Sequence, residues 1–428
     1  MFRTIIDAFK IKEIRNKILI TLLLLFVYRV GCWLPCIGFD TSAIFEGSSG
    51  FGFFELMNMV SGGALYNCSV LALGVSPYIT ASIVIQLLTV AIPALEKLSK
   101  SGEDGRRKIS FYTRIAALVL AIAQAIGIVV SYSDSIDPNL LGMPRWLVGA
   151  GVVLIMVAGA MFTVWLGERI TDLGIGNGTS LLIFVGILST AGTSVAAIIE
   201  QCTVDITYIW YLVLFIVAII AIFALIVFVD GGERRVHVQY AKQIKGRRMY
   251  GGQSNYIPIK VNATGVMPII FASALLTFPQ LIISIFWPNV TWYSDWLGTN
   301  SWLYIVLTAV LILVFSFFYS KISFDPDDIA KRIQQQGGTI PGIRAGKLTS
   351  EYLGRISTRI TFFGAIFLAI IALIPSLAFK AIGDYAGASV LINAFSATGL
   401  MIVVSVALEL EKQLSAQMFV RNHKGFLS

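Results

Sequence analysis

Residues that could do chemistry are few and scattered in this sequence. The cysteines form no CxxC pair, and the histidines lie far from them and from each other. These residues are Cys32, Cys36, Cys68, Cys202, His237 and His423. Such spacing supports neither a zinc site nor a redox pair. Cys32 and Cys36 could form a bridge, although buried free thiols are the favoured interpretation.

Motifs of catalytic sites are also absent from the sequence. It contains no HExxH, no GxSxG and no P-loop lysine motif, so none of the usual hydrolase or nucleotide sites is indicated. The GIGNG stretch at 174–178 is like a fragment of a nucleotide loop, but it follows an apolar run and not a strand. We favour a tight glycine turn that starts the next helix close to its neighbours. We therefore expect no catalytic residues, metal or cofactor, and no enzyme.

Composition indicates that most of this chain is surrounded by lipid. Of 428 residues, 57% are apolar and 13% are charged, against roughly 25% charged residues in soluble domains. A bilayer core of roughly 30 Å needs about 20 apolar residues as helix. Ten such runs predict an all-α membrane protein. They lie near 18–36, 71–91, 112–132, 146–166, 178–199, 207–229, 263–287, 302–320, 360–379 and 391–410.

Positive charge alternates between the connections of these runs. Of the 32 Lys and Arg residues, 29 fall in the termini and in the connections predicted to share their side, whereas the intervening connections hold only Arg145 and Lys380. Because the cytoplasmic side keeps the excess of Lys and Arg, both termini are predicted to be inside. The N-terminal stretch to Lys17 lacks the pattern of a signal peptide, so we expect it to lie along the inner surface.

The order of the runs suggests two halves of five spans each. Residues 1–200 would form the N-terminal half and residues 201–428 the C-terminal half. Because five is odd, the halves would run in opposite directions and could be related by inverted pseudo-symmetry. Between the first two spans, the segment at about 52–70 has an apolar stretch that is too short to cross the bilayer. This segment predicts a re-entrant or plugging helix.

Away from their ends, the predicted spans contain essentially one charged side chain, Arg29. Ion-coupled carriers place carboxylates or histidines near the midplane, so this composition argues against a coupled transporter. The spans instead carry isoleucines at helical spacing, which are normally lipid-facing or core residues. These are Ile79, Ile83, Ile183, Ile270 and Ile402. A narrow ring of such side chains could also gate an aqueous pore by dewetting.

Two long connections carry seven cations each, 230–262 and 321–359. The first alternates valine and tyrosine with charged residues around Gly246 and predicts a short hairpin. In the second, Asp325 and Pro326 suit a helix start, and PGIRAG predicts an exposed turn presenting Arg344. Fixing topology needs fewer charges than these loops hold. We therefore predict a docking surface for an acidic or phosphate-rich partner, ribosomal RNA included.

Five stretches in order resemble the SecY/Sec61 family of protein-conducting channels. They are SGGALYNCSVLALGVSPYITASIVIQLLT, GEDGRRKISFYTR, GERITDLGIGNGTSLLIF, RRVHVQYAKQIKGRRMYGGQSNYIPIKVNATGVMPIIFAS and DPDDIAKRIQQQGGTIPGIRAGKLTSEYLGRI. They fall throughout the chain. The resemblance implies ten transmembrane helices in two inverted five-helix halves around an hourglass pore, closed by a plug helix. The pore would open sideways between the second and third spans and the seventh and eighth.

The resemblance also assigns roles to residues. A pore ring would comprise Ile79, Ile83, Thr179, Ile183, Ile270 and Ile402, where Thr179 departs from the usual isoleucine. The plug would include Ser61, Gly62, Gly63, Ala64, Leu65, Tyr66 and Asn67. The lateral gate would include Gln86, Gln124, Ser273 and Phe278. Docking of the motor or ribosome would use Arg234, Arg235, Lys242, Arg247, Arg248, Arg344 and Lys347.

The implied function is a passive channel that translocates unfolded preproteins across the bacterial cytoplasmic membrane and releases membrane helices into it. A rival expectation is a secondary transporter of a small solute. An intramembrane hydrolase has no nucleophile and base in this sequence. The partners implied are the small subunits SecE and SecG, the SecA motor ATPase, the ribosome, signal sequences and membrane lipids, and further SecDF and YidC.

Overall fold

A computed structural model gives the fold, which is mostly helical. It describes residues 8–38, 58, 61–132, 144–204, 208–240, 243–245, 248–250, 254–262, 265, 267–286, 296, 301–382 and 397–424. The helices are α1 Lys12–Gly31, α2 Ser76–Ala91, α3 Pro93–Lys100, α4 Glu103–Ser131, α5 Arg145–Leu173, α6 Gly178–Val204, α7 Tyr208–Asp230, α8 Met267–Phe286, α9 Trp302–Ser323, α10 Pro326–Gln335, α11 Lys347–Ile382 and α12 Ala397–Lys424. The strands are β1 Glu233–Tyr240, β2 Gln243–Lys245, β3 Arg248–Tyr250, β4 Ser254–Lys260 and β5 Gly338–Thr339.

Each run predicted to span overlaps one of these helices. Within the described part of the chain, four helices are long and apolar enough to cross a bilayer by themselves. They are Glu103–Val130, Arg145–Leu173, Trp302–Gln335 and Lys347–Ile374. The bent pair formed by α2 and α3 gives a fifth, with 107° between its two parts. The protein is therefore an α-helical membrane protein with several apolar spans.

The second span begins later than predicted. Helix α2 starts at Ser76 with Pro77 in its first turn, where the missing proline N–H costs no hydrogen bond. Residues 62–75 before it are a succession of turns. The helix ends at Ala91 because Pro93 cannot continue it. Helix α3 then leaves at a steep angle.

The helices pack in two groups. In the first group α2 contacts α4, α4 contacts α5, α5 contacts α6, and α1 lies against α5 and α6. In the second, α8 contacts α9, α9 contacts α11, and α12 lies against both α7 and α11. The groups meet where α4 contacts α8 and where α6 contacts α12. A central apolar cluster draws residues from both groups, including Tyr28, Ile187, Phe271 and Val404.

The GIGNG stretch is a tight glycine turn, as predicted. Gly176 has a φ of +89°, a conformation that favours glycine. A Cβ on Gly178 would lie 1.9 Å from the carbonyl oxygen of Gly167, so only glycine lets α6 begin this close to α5. The amide of Ile175 donates to Thr21 Oγ1 at 3.2 Å. The turn therefore also joins α1.

The two basic loops form one structure. Strand β1 pairs with β4 antiparallel from Glu233 opposite Lys260, and β2 pairs with β3, which confirms the predicted hairpin. Strand β5, from the other loop, adds to the free edge of β1. Behind this sheet Val238, Ile333 and Leu353 are buried in one apolar cluster. The second loop contains the predicted helix, α10, capped by Asp325, whose carboxylate accepts from two backbone amides of its first turn.

The predicted plug helix is described only in part. Asn58 and Ser61 are helical, and the residues that follow up to Val75 are turns. Gly62 and Gly63 have φ of +72° and +86°, which ends a helix. Most of the stretch predicted as helical before Ser61 lies outside the described residues.

The thiols are buried and free at Cys32, Cys36 and Cys68. The favoured interpretation of buried thiols is confirmed for these three, and the alternative of a Cys32–Cys36 bridge is wrong. The Cys36 amide instead donates to the Cys68 carbonyl at 2.7 Å. Cys202 lies near the end of α6.

Candidate pore, gate and docking surface

Most residues of the predicted pore ring line one cavity of about 430 Å³. Five of the six ring residues line it: Ile79, Ile83, Thr179, Ile183 and Ile270. They come from α2, α6 and α8, which are distant in sequence. The two groups of helices therefore both contribute to its wall.

The sixth ring residue, Ile402, is on α12 and is buried in the same apolar cluster as Ile83 and Ile183. It is not among the residues that line the cavity. Five of the six predicted positions thus line one cavity, and the sixth belongs to the apolar cluster that includes two of them.

The cavity wall contains polar as well as apolar side chains. The polar side chains include Arg114, Glu168, Asp172 and Asn177. Arg114 Nε lies 2.7 Å from Glu168 Oε1, and both side chains are partly exposed, so this pair contributes little stability. Isoleucines that share a cavity with polar side chains provide the apolar surface that a hydrophobic gate requires.

Thr179 places a hydroxyl at the ring position where the resemblance implies an isoleucine. Its Oγ1 donates to Asn177 Oδ1 at 2.7 Å, and Asn177 Oδ1 also accepts from the Thr179 amide at 3.1 Å. The hydroxyl therefore has a partner within its own turn. Its methyl group lies towards Gly167 of α5.

A hydrogen bond joins the two helix groups beside this cavity. The Tyr319 hydroxyl of α9 donates to Gln86 Oε1 of α2, and Gln86 Nε2 in turn lies 3.5 Å from Ser82 Oγ. The Tyr319 ring packs on Phe271 of α8, with 4.8 Å between centroids. Gln86 was predicted to lie on the gate. Tyr319 was missed because, in the aromatic run FSFFYSK, no sequence signal distinguishes it from a lipid-facing residue.

The other predicted gate residues differ in their surroundings. Gln124 on α4 is buried, and its Oε1 has no hydrogen-bond partner among the described residues. Ser273 on α8 donates to the carbonyls of Ile269 and Ile270 at about 3 Å. Phe278 lies on α8, but its side chain is outside the described part.

The segment predicted to be the plug forms hydrogen bonds with α1. Arg29 Nη1 donates to the Gly62 carbonyl at 2.7 Å. The Tyr28 hydroxyl and Cys32 Sγ both point at the Ser61 carbonyl, at 3.4 and 3.6 Å. The sequence identified Arg29 as an isolated intramembrane charge, but it did not identify its partner.

The plug turn is also closed on itself. Asn58 Oδ1 accepts from the Tyr66 amide at 3.1 Å, and the Asn58 carbonyl accepts from the Gly63 amide at 2.9 Å. Ala64 and Leu65 are buried, whereas Asn67 is exposed. The described part of the predicted plug is therefore a hydrogen-bonded turn with a buried apolar side.

The sheet of the first loop carries exposed arginines. Arg235 Nε is 2.7 Å from Glu233 Oε1, and its guanidinium lies 4.9 Å from the centre of the Tyr256 ring. The Glu233 carboxylate raises the pKa of Arg235 above its ordinary value, first through this hydrogen bond. Arg234 is exposed on the same strand. Lys242 and Arg247 lie outside the described residues, and of Arg248 only the backbone, in β3, is described.

Arg344 is exposed directly after a tight turn. Ile340 and Ile343 form a bridge across that turn, and Arg344 follows with its side chain in solvent. Thr349 Oγ1 donates to the Arg344 carbonyl at 2.9 Å, which fixes the backbone there. Lys347, the first residue of α11, is also exposed.

Helices of membrane length around a cavity lined by both isoleucines and polar side chains are the architecture of a membrane channel. A profile of the SecY family matches residues 69–410. The chain is 42% identical to the protein translocase subunit SecY of Streptomyces galbus, over 98% of each chain. It is 38% identical to that of Thermus thermophilus, over 100% of this chain and 98% of the relative.

Solved structures agree with this on the fold. One protein-conducting channel has a TM-score of 0.66 with 20% identity, covering 94% of this chain and 92% of that one. Sec61 from the canine ribosome–channel complex has a TM-score of 0.62 with 18% identity over the same shares. The chain belongs to the SecY family. It is a channel subunit and not an enzyme, and the alternative of a small-solute transporter finds no support.

Proposed function

We propose that this chain forms the path by which unfolded preproteins cross the cytoplasmic membrane of a bacterium and by which hydrophobic segments enter the lipid. The observation that carries the proposal is the cavity lined by Ile79, Ile83, Thr179, Ile183 and Ile270, whose wall also includes polar side chains. Five side chains matched to the pore ring by resemblance meet at one place, although they belong to three helices.

The proposed topology has ten spans in two inverted halves, 1–200 and 201–428, with both termini in the cytoplasm. Two observations support it. Each predicted run overlaps a helix, and 29 of the 32 cations lie on the side assigned to the cytoplasm. The proposed plug is the segment from Ser61 to Asn67, whose backbone packs between α1 and α6.

Physical chemistry explains why such a path is needed. Charges on a translocating polypeptide would cost several kcal/mol or more in lipid, so they need a wet route. An isoleucine constriction makes few specific contacts with any client sequence and dewets when the client leaves. An apolar signal sequence instead gains about 25 cal/mol per Å² when it leaves water. A seam between α2 and α4 on one side and α8 and α9 on the other would let it partition sideways.

The energy for export would come from partners. We propose docking of the SecA motor or the ribosome on the sheet β4–β1–β5 and on the turn at Arg344, because these surfaces are cationic and exposed. Cations on such a surface favour acidic or phosphate-rich partners. SecE and SecG would complete the channel in the membrane, and SecDF and YidC would act with it.

Reconstitution tests the proposal. The chain, purified in mild detergent with its small membrane subunits, is placed in lipid vesicles with a motor ATPase, ATP and a preprotein. We expect the preprotein to become protease-protected only when both motor and ATP are present. Protection that is equal without ATP, or absent when all components are present and bound, would refute the proposed function.

A further inference from the structure

Arg29 is unusual because it is a charged residue within a predicted span, and the structure places it in the last turn of α1. Charged side chains in membrane helices are rare and are kept where they have a partner and a role. Here the partner is the backbone of the plug segment, since Arg29 Nη1 donates to the Gly62 carbonyl at 2.7 Å. Hydrogen bonds from a charged donor are stronger than neutral ones.

The position of Gly62 leaves no room for another residue. Its φ is +72°, and a Cβ there would lie 2.7 Å from Arg29 Nη1 and 2.9 Å from the Cα of Gly186 on α6. Gly63, the next residue, also has a positive φ, but a Cβ on it would meet nothing within 4 Å. The contact at Gly62 is therefore a specific fit between α1 and α6.

Tyr28 and Cys32, on either side of Arg29, donate to the carbonyl of Ser61, the residue before Gly62. The Tyr28 hydroxyl and Cys32 Sγ are one helical turn apart and both point at the Ser61 carbonyl. Tyr28, Cys32 and Ser61 are all buried. One face of α1 thus holds two consecutive plug carbonyls, and Arg29 provides the charged bond among these contacts.

We propose that Arg29 is a positioning residue for the plug, and that its bond to the Gly62 carbonyl sets how readily the channel opens. The inference rests on the proposed function, because it takes 61–67 to be the plug. In the closed state the bond holds the plug between α1 and α6. A client polypeptide must break this bond before the plug leaves, so the bond raises the threshold that a signal sequence has to overcome.

Native Cys32 supplies a direct readout. Its thiol is fully buried against Ser61, so a small maleimide reaches it only when the plug moves. The channel with its small subunits is labelled in membranes, and the modified cysteine is identified by peptide mass mapping. Four variants are compared with the parent: Arg29→Met, Arg29→Lys, Gly62→Ala and the matched control Gly63→Ala.

We expect labelling of Cys32 to be about ten- to a hundredfold faster in Arg29→Met, the range given by loss of a charged hydrogen bond. Arg29→Lys, which keeps a charged donor, should be intermediate. Gly62→Ala should accelerate labelling, and Gly63→Ala should do so much less. Parent-like labelling in both Arg29→Met and Gly62→Ala would overturn the proposal. If Arg29→Met does not accumulate, Arg29→Lys and Gly62→Ala decide it.

Export assays separate this inference from the function on which it rests. Reporters with intact and with weakened signal sequences are tested in the same membranes. We expect Arg29→Met to raise export of the weakened reporter while the intact reporter is exported as in the parent. Unchanged export of the weakened reporter despite faster labelling would refute the effect on threshold. Absence of export by the parent would refute the proposed function, whereas the labelling comparison needs neither motor nor client.

Discussion

Tyr319 of α9 donates a hydrogen bond to the Gln86 side-chain carbonyl of α2 and so connects the two groups of helices beside the cavity. The two residues are separated by 233 positions in sequence. Their bond crosses the seam through which we propose that signal sequences leave. The seam is therefore closed by a polar contact as well as by apolar packing.

Removing this contact should make the seam easier to open. Tyr319→Phe keeps the ring in contact with Phe271 but removes the hydroxyl. Loss of a neutral hydrogen bond costs about 1 kcal/mol. That corresponds to roughly a fivefold shift between closed and open seams. We expect export of a reporter with a weakened signal sequence to rise by about this factor. Tyr112→Phe, on an exposed face of α4, is the matched control. Equal effects of both substitutions would contradict a role specific to Tyr319.

A covalent link across the same seam should stop export. In Gln86→Cys/Tyr319→Cys, a short bifunctional maleimide would tie α2 to α9, and the lateral gate could not open. The control pair is Phe317→Cys/Phe362→Cys, whose native rings lie 6.3 Å apart on α9 and α11 of one group and do not line the cavity. We expect complete crosslinking of the first pair to block export and that of the control pair to permit it. Unhindered export with the first pair fully crosslinked would refute the lateral gate.

The constriction should depend on its apolar side chains. Ile402→Asn puts an amide into the central apolar cluster, where an unpaired polar group costs about 1–3 kcal/mol and attracts water. We expect a higher ion leak across vesicles and more export of the weakened reporter. Thr179→Ile should instead reduce the leak, because it replaces a hydroxyl in the ring with an apolar side chain. The turn should be retained, since the backbone amides at positions 179 and 180 can still donate to Asn177 Oδ1. Ion leak unaltered by Ile402→Asn would argue against a hydrophobic gate.

The sequence predicted the helices well because apolar length is a strong signal. It predicted the hairpin of β1 and β4, the glycine turn before α6 and the helix capped by Asp325, since each has a local pattern. It did not reveal the pairing of β5 with β1, which joins two loops about a hundred residues apart. A pairing between strands this far apart leaves no periodic pattern in the sequence from which it could be predicted.

The same limit applies to the candidate site. Arg29 was evident as a charge among apolar residues, but its partner is a backbone carbonyl, which every residue possesses. The ring residues were found through resemblance, and only the fold shows that five of them share a cavity. The start of α2 at Ser76 was misplaced because residues 71–75 are apolar but form turns.

Arg344 provides the clearest test of docking. It is exposed beyond the turn at Ile340 and Ile343, so a substitution there should change the free energy of unfolding by no more than about 0.5 kcal/mol. Arg344→Glu would place a negative charge before an acidic partner, and repulsion of like charges costs several kcal/mol at an interface. We expect motor-driven, ATP-dependent export to fall about tenfold or more, while membrane insertion and thermal stability stay as in the parent. Arg332→Glu, exposed on α10 of the same loop, is the matched control. Normal export by Arg344→Glu would exclude this turn from motor docking, because charge reversal on a contacting residue cannot be neutral.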